Sequence, residues 1–265
     1  MGMGQPGARL PTMATNYISI TTPSPSPISL HLQNSCQESS EFLATFPIVI
    51  HYNSFSGSLS LDDEDTLIAA LEHSHRVCVL NFYATTTQLV KLVAVMQQPY
   101  PALTHLTLKS DLDAQVIPGG FLGRSAPGLQ ELWLEATPFP ALPILLLSAR
   151  ELVELHLNNI PKTGYISPGA MVVGLAALTS LRTLFIGFRS SASFPDQTCP
   201  PLTRTVLPAL TSFAFQGISD NLEDLVGRID CPRVNDIDIH YLRLWRDGLQ
   251  VAELFEFINR SEDPC

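Results

Sequence analysis

Trp133, His156 and Phe185 each stand between two large aliphatic residues, in the runs LWL, LHL and LFI, at intervals of 23 and 29 residues. Two places before them come Glu131, Glu154 and Thr183, and His105 holds the place of Glu131 one interval earlier. Near the C-terminus Asp236 and Asp238 fill both places. Aromatic rings in such a set offer large contact area and faces that attract cations. The carboxylates would border them with negative charge, an arrangement that suits a protein contact with an apolar centre and a polar rim. His105, Glu131 and His156 are also zinc-ligand types. Three such residues on different elements do not by their types make a metal site, so no metal is expected.

Other chemistry-bearing residues have simpler readings. Gly2-x-Gly4-x-x-Gly7 has the spacing of a dinucleotide fingerprint, but it follows no strand pattern, opens no helix and carries Pro6. His73-Ser74-His75 and the run Asp62, Asp63, Glu64, Asp65 read as the two ends of one helix, with charges that complement its dipole. No P-loop, G-x-S-x-G or His-Glu-x-x-His occurs. The chain therefore reads as non-enzymatic, with no cofactor. Cys36, Cys78, Cys199, Cys231 and Cys265 are odd in number and widely spaced, as expected of thiols in a reducing compartment. The opening residues lack the apolar core of a signal peptide, and the densest apolar run, Ala141 to Leu147, is too short to span a bilayer. The expectation is an intracellular protein away from the membrane.

The elements that position these residues follow from a repeat. The pattern L-x-x-L-x-L, with any aliphatic or Phe at its apolar places, starts at Val77, Leu103, Leu129, Leu152, Leu181, Leu210 and Val234. Its intervals are 26, 26, 23, 29, 29 and 24 residues, within the range of roughly 20–29 for leucine-rich repeats. Proline precedes the first apolar place by two residues four times, at Pro101, Pro127, Pro208 and Pro232. Ile48 to Tyr52 adds a strand one interval earlier, and Ile28, Leu30 and Leu32 suggest an irregular starting strand. Helical stretches fall between strands at Asp62 to Arg76, Thr86 to Gln98, Ser167 to Ser180, Asn221 to Ile229 and Gly248 to Arg260, the last a possible cap. The expected fold is an α/β leucine-rich-repeat solenoid over 28–265, with parallel strands on the concave face and helices on the convex face. Residues 1–27, with TTPSPSP at Thr21 to Pro27, read as a disordered Ser/Pro-rich tail.

Places one, four and six of each repeat then face the core, and places three and five face the open surface. Place three reads Val79, His105, Glu131, Glu154, Thr183, Ser212 and Asp236; place five reads Asn81, Thr107, Trp133, His156, Phe185, Ala214 and Asp238. The candidate partner-binding set is His105, Glu131, Trp133, Glu154, His156, Phe185, Asp236 and Asp238. The chain has 15 Lys+Arg against 25 Asp+Glu, a net charge of −10, which excludes a phosphate-tracking nucleic-acid binder. A protein target with a basic surface is expected.

The stretch PFPALPILLLSARELVELHLNNIPKTGYISPGAMVVGLAALTSLRTLFIGFRS, Pro138 to Ser190, resembles a large family of basidiomycete fungal F-box proteins with leucine-rich repeats. The blocks DDEDTLIAALEHSHRVCVL, MQQPYPALTHLTL, FLGRSAPGLQEL, LTRTVLPALTSF and LEDLVGRIDCP follow the same order, so the resemblance covers roughly Ile48 to Pro264. It is confined to the repeat region: Leu10-Pro11 continues with Thr12-Met13, where an F-box would open on a Leu-Pro-x-Glu-like motif. The resemblance implies the target-selecting part of a cullin-type ubiquitin-ligase receptor, with a Skp-type adaptor and cullin as further partners. The alternative is a stand-alone leucine-rich-repeat scaffold, or a truncated paralogue, without ligase coupling.

Overall fold

A computed structural model describes residues 17–21, 46–53, 61–110, 116–189, 204–242 and 251–262. The strands are β1 (Tyr17–Thr21), β2 (Ile48–Asn53), β3 (Val77–Ala84), β4 (His105–Ser110), β5 (Glu131–Glu135), β6 (Glu154–Ile160), β7 (Thr183–Phe188), β8 (Thr205–Val206), β9 (Ser212–Gly217), β10 (Ile229–Asp230) and β11 (Asp236–Tyr241). Between them run α1 (Leu61–Glu72), α2 (Thr86–Val95), α3 (Leu142–Leu146), α4 (Pro168–Leu175) and α5 (Ser219–Val226), with α6 (Ala252–Glu262) last. Nine strands form one sheet in the order β1-β2-β3-β4-β5-β6-β7-β9-β11. All neighbours from β2 to β11 pair in parallel, so the expected α/β architecture with a parallel sheet is present.

The same local device starts the six repeats from Leu103 to Val234. The amide at place one donates to the carbonyl three residues earlier, as in Leu103 N to Tyr100 O (3.1 Å), Leu129 N to Ala126 O (3.2 Å), Leu210 N to Leu207 O (3.3 Å) and Val234 N to Cys231 O (3.2 Å). Pro101, Pro127, Pro208 and Pro232 sit second in these turns, where the fixed proline φ suits the geometry. That is the physical origin of the proline spacing. The amide at place two then donates to the place-two carbonyl of the preceding repeat: Thr104 to Cys78, Gln130 to Thr104, Val153 to Gln130 and Arg182 to Val153, each 2.8 Å, then Thr211 to Arg182 (2.9 Å) and Asn235 to Thr211 (3.0 Å). This ladder locks the register before the strands begin.

Places one, four and six are buried together with the inner faces of the helices in one core, from Val77 and Leu80 through Leu155 and Leu184 to Phe213 and Phe215. The helices therefore cover one face of the sheet, and the odd places from three onward lie on the other. Tyr100 shows how tightly successive repeats interlock. It is fully buried, and its hydroxyl donates to Leu71 O at 2.9 Å, across 29 residues of sequence. Tyr100→Phe would strand that carbonyl without a donor, and urea unfolding should report a loss of about 1–3 kcal/mol.

Several element boundaries correct the sequence expectation. Residues 17–21, assigned to the tail, form β1, antiparallel to β2 with Tyr17 opposite Asn53 and Thr21 opposite Val49. The segment YISIT alternates and is β-branched, which favours a strand over the Ser-Pro composition that begins at its end. The starting strand expected at Ile28, Leu30 and Leu32 lies outside the described residues. Helix α1 stops at Glu72, so His73, His75 and Arg76 do not belong to its last turn. They form a turn in which Arg76 N donates to His73 O, and Arg76 Nε reaches Phe46 O at 3.0 Å. Glu64, expected as part of a charged first turn, pairs with Lys91 of α2 at 2.8 Å. Helix α4 ends at Leu175, short of the expected Ser180, because the place-one turn from Leu178 to Leu181 follows directly. The apolar run at Ala141 holds α3, whose Pro143 lies in the first turn, where no intrahelical N–H is needed.

Helix α6 begins at Ala252, and Gly248 lies outside the described residues. Its first turn is held by Glu223 of α5, whose carboxylate accepts from Glu253 N (2.7 Å) and Leu254 N (3.2 Å). Burial pushes the Glu223 carboxyl above its ordinary value of 4.5, the Glu253 charge adds to the rise, and the two amides oppose it. A carboxyl raised on folding binds protons more readily in the native state, so its contribution to stability falls as pH climbs above 4.5. Glu223→Gln is expected to flatten that part of the stability–pH curve, measured as urea midpoints across mildly acidic to neutral buffers.

Candidate interaction surface

Every pairing expected for places three and five is present. His105 lies opposite Glu131, Thr107 opposite Trp133, Glu131 opposite Glu154, Trp133 opposite His156, and His156 opposite Phe185. Phe185 then faces Ala214, and Ala214 faces Asp238. With places four and six committed to the core, alternation sends these side chains to the face that none of the described helices covers.

The three rings form one stack. Trp133 and His156 are nearly parallel, 9° apart with centroids at 4.4 Å, and His156 continues to Phe185 at 6.3 Å and 24°. Trp133 remains 38% exposed, among the most exposed large apolar side chains described, so the stack does not hide it. Glu131 and Glu154 border the stack as the register requires. Glu131 Oε1 lies 3.3 Å from His105 Nε2, and Glu154 Oε2 lies 3.5 Å from His156 Nε2. His105 Nδ1 also meets Thr104 Oγ1 at 2.8 Å. Each of these histidines thus has its own glutamate, and among the described residues no three His, Cys, Asp or Glu side chains gather as metal ligands.

Asp236 and Asp238 occupy the expected places but stand apart from the rings, on β11 with β9 between them and Phe185. Ser212 Oγ donates to Asp236 Oδ2 at 2.9 Å, and Asp238 Oδ1 lies 3.2 Å from His240 Nε2. These two acids form a second, separate charged zone.

A third ladder at place seven was not foreseen. It runs Tyr83, Lys109, Glu135. Lys109 Nζ is 5.0 Å from the centroids of both Tyr83 and Trp133 and 3.0 Å from Glu135 Oε2. Trp133 therefore carries a cation on its outer face. The six-residue pattern ends one place too early to reveal this row; continuing the alternation two more residues would have found it.

The remaining candidates lie elsewhere. Among the described residues, a hollow beside α2 is lined by Thr86 and by apolar side chains, including Leu89, Val90, Val93 and Ile117, and by no titratable group. Burial raises Tyr100 and pushes the Cys231 thiol up to about 12, where it is a poor nucleophile. Among the described residues no helix is long and apolar enough to cross a membrane. No family model, curated protein or solved structure matches the chain.

Proposed function

We propose that the chain is a protein-recognition module, built as a leucine-rich-repeat solenoid with its strands on the concave side, that binds a target through the sheet face around Trp133. The observation that carries this reading is the stacked, solvent-exposed run of Trp133, His156 and Phe185 on three adjacent strands, bordered by carboxylates. Aromatic centres with polar rims are where binding energy concentrates. The repeated turn and the place-two amide ladder support the solenoid reading, because each repeat docks on its predecessor in the same way. The module acts without catalysis and inside the cell, and its target presents a basic surface to the acidic face.

The resemblance of Pro138 to Ser190 to fungal F-box proteins further supports the target-selecting part of a cullin-type ubiquitin-ligase receptor. The alternative is a stand-alone leucine-rich-repeat scaffold without ligase coupling. Calorimetry of the purified chain with a purified fungal Skp-type adaptor separates the two. Stoichiometric binding is the result expected of a receptor; no heat, with target capture intact, assigns the chain to the scaffold reading.

A further inference from the structure

We infer that the sheet face opposite the described helices holds a slot for one arginine side chain of the partner, above Ala214, between the Phe185 ring and the Asp238 carboxylate. This deepens the recognition reading above and rests on it. One face of Phe185 is turned to His156. Its ring extends along the strand over Gly187, where an added Cβ would lie 3.0 Å from Cε1 and 3.1 Å from Cζ. The ring plane therefore stands up from the sheet and runs with the strand, so its second face looks toward β9. Opposite Phe185 on β9 is Ala214, with only a methyl group, and opposite Ala214 on β11 is Asp238; one place further along, Gln216 of β9 stands opposite Gly187 and closes that end of the slot.

Phe185 and Asp238 are two strand steps apart, about 9–10 Å at about 4.8 Å per step. A planar group needs about 3.5–4 Å of clearance on each side, so the space over Ala214 admits one guanidinium and little more. Its floor is the Ala214 methyl group, with the Gln216 amide at one end, and one wall is a ring face. The other wall is Asp238, with its partner His240, and Asp236 beside it on β11. No lysine or arginine stands at the odd places of β7, β9 or β11. Lys109, the cation on this face, is committed to Trp133, Tyr83 and Glu135 at the far end of the stack. The stack thus has a cation against its Trp133 end and an acid-walled space against its Phe185 end. Arginine fits that space better than lysine, because its plane can lie on the ring while its fork meets a carboxylate.

The test uses the isotopically labelled full chain and N-acetyl-arginine amide as the probe, with the lysine and citrulline analogues beside it. Saturable amide shifts centred on Phe185, Ala214 and Asp238 are expected with arginine, several-fold weaker binding with lysine, and none with citrulline. Ala214→Leu, which fills the slot, and Asp238→Asn, at an exposed position, should each weaken the arginine probe by about tenfold. Equal shifts with citrulline, or undiminished binding in Asp238→Asn or in a folded Ala214→Leu chain, would overturn the slot. Capture of targets by the wild-type chain and by Trp133→Ala is scored separately. Loss of capture in that variant with a negative arginine titration removes the slot alone. Unchanged capture with a positive titration keeps the slot and removes the wider reading.

Discussion

Trp133→Ala is expected to weaken target binding by about 2 kcal/mol or more, roughly thirtyfold in Kd, while leaving the melting temperature near that of the wild type. The size of the effect follows from where the ring sits. It is stacked on His156 and held from the other side by Lys109, so it is preorganised, yet 38% of it still faces solvent. A rigid aromatic side chain loses little conformational freedom when a partner covers it. Removing it would also release Lys109 from one of its two rings and expose the face of His156, so a partner would meet a looser surface. Folding should not suffer, because the residues on either side, Leu132 and Leu134, are the ones buried in the core. Calorimetry with an identified target measures the affinity, and a thermal melt checks the fold. Unchanged affinity would remove Trp133 from the site.

Leu155→Ala tests the framework beneath that surface and carries the largest expected loss of stability, about 2–5 kcal/mol. Leu155 is fully buried at place four of β6, with Leu132 and Leu184 beside it on the neighbouring strands. The lost methyl groups would leave a cavity in the middle of a parallel sheet that is braced by other repeats on both sides, so little collapse is possible. Urea denaturation gives the value. A variant as stable as the wild type would mean that place four does not face the core, and the assignment of His156 to the open face would fall with it.

The pairing of these two predictions reflects what the sequence made legible. A period-two strand pattern in which three of six places are apolar fixes both faces at once, so Leu155 inward and His156 outward are one inference. The proline spacing added an independent marker of where four of the strands begin, and the turn bonds before Leu103, Leu129, Leu210 and Val234 supply its cause. Elements too short for any period were not legible. β8 and β10 have two residues each and pair with one another four residues ahead of Leu210 and Val234, a repeat feature with no hydrophobic signature. β1 was obscured by the Ser-Pro run that follows it. Lys109 was missed because its role depends on two rings from neighbouring strands, Tyr83 and Trp133, and on Glu135. Contacts of that kind come from the third ladder, one step beyond the pattern that defined the first two.

The helix side of the molecule also presents apolar side chains, Ile144 and Leu147 around α3 and Val173 on α4, the last 58% exposed. The central claim is that recognition uses the sheet face and not this one. The most direct measurement is a paired capture from a lysate of the source cells, quantified by mass spectrometry, with the wild-type chain, Trp133→Ala and Val173→Asp. The account predicts that the same set of proteins is lost with Trp133→Ala and retained with Val173→Asp. Retention with Trp133→Ala together with loss in a folded Val173→Asp chain would contradict it.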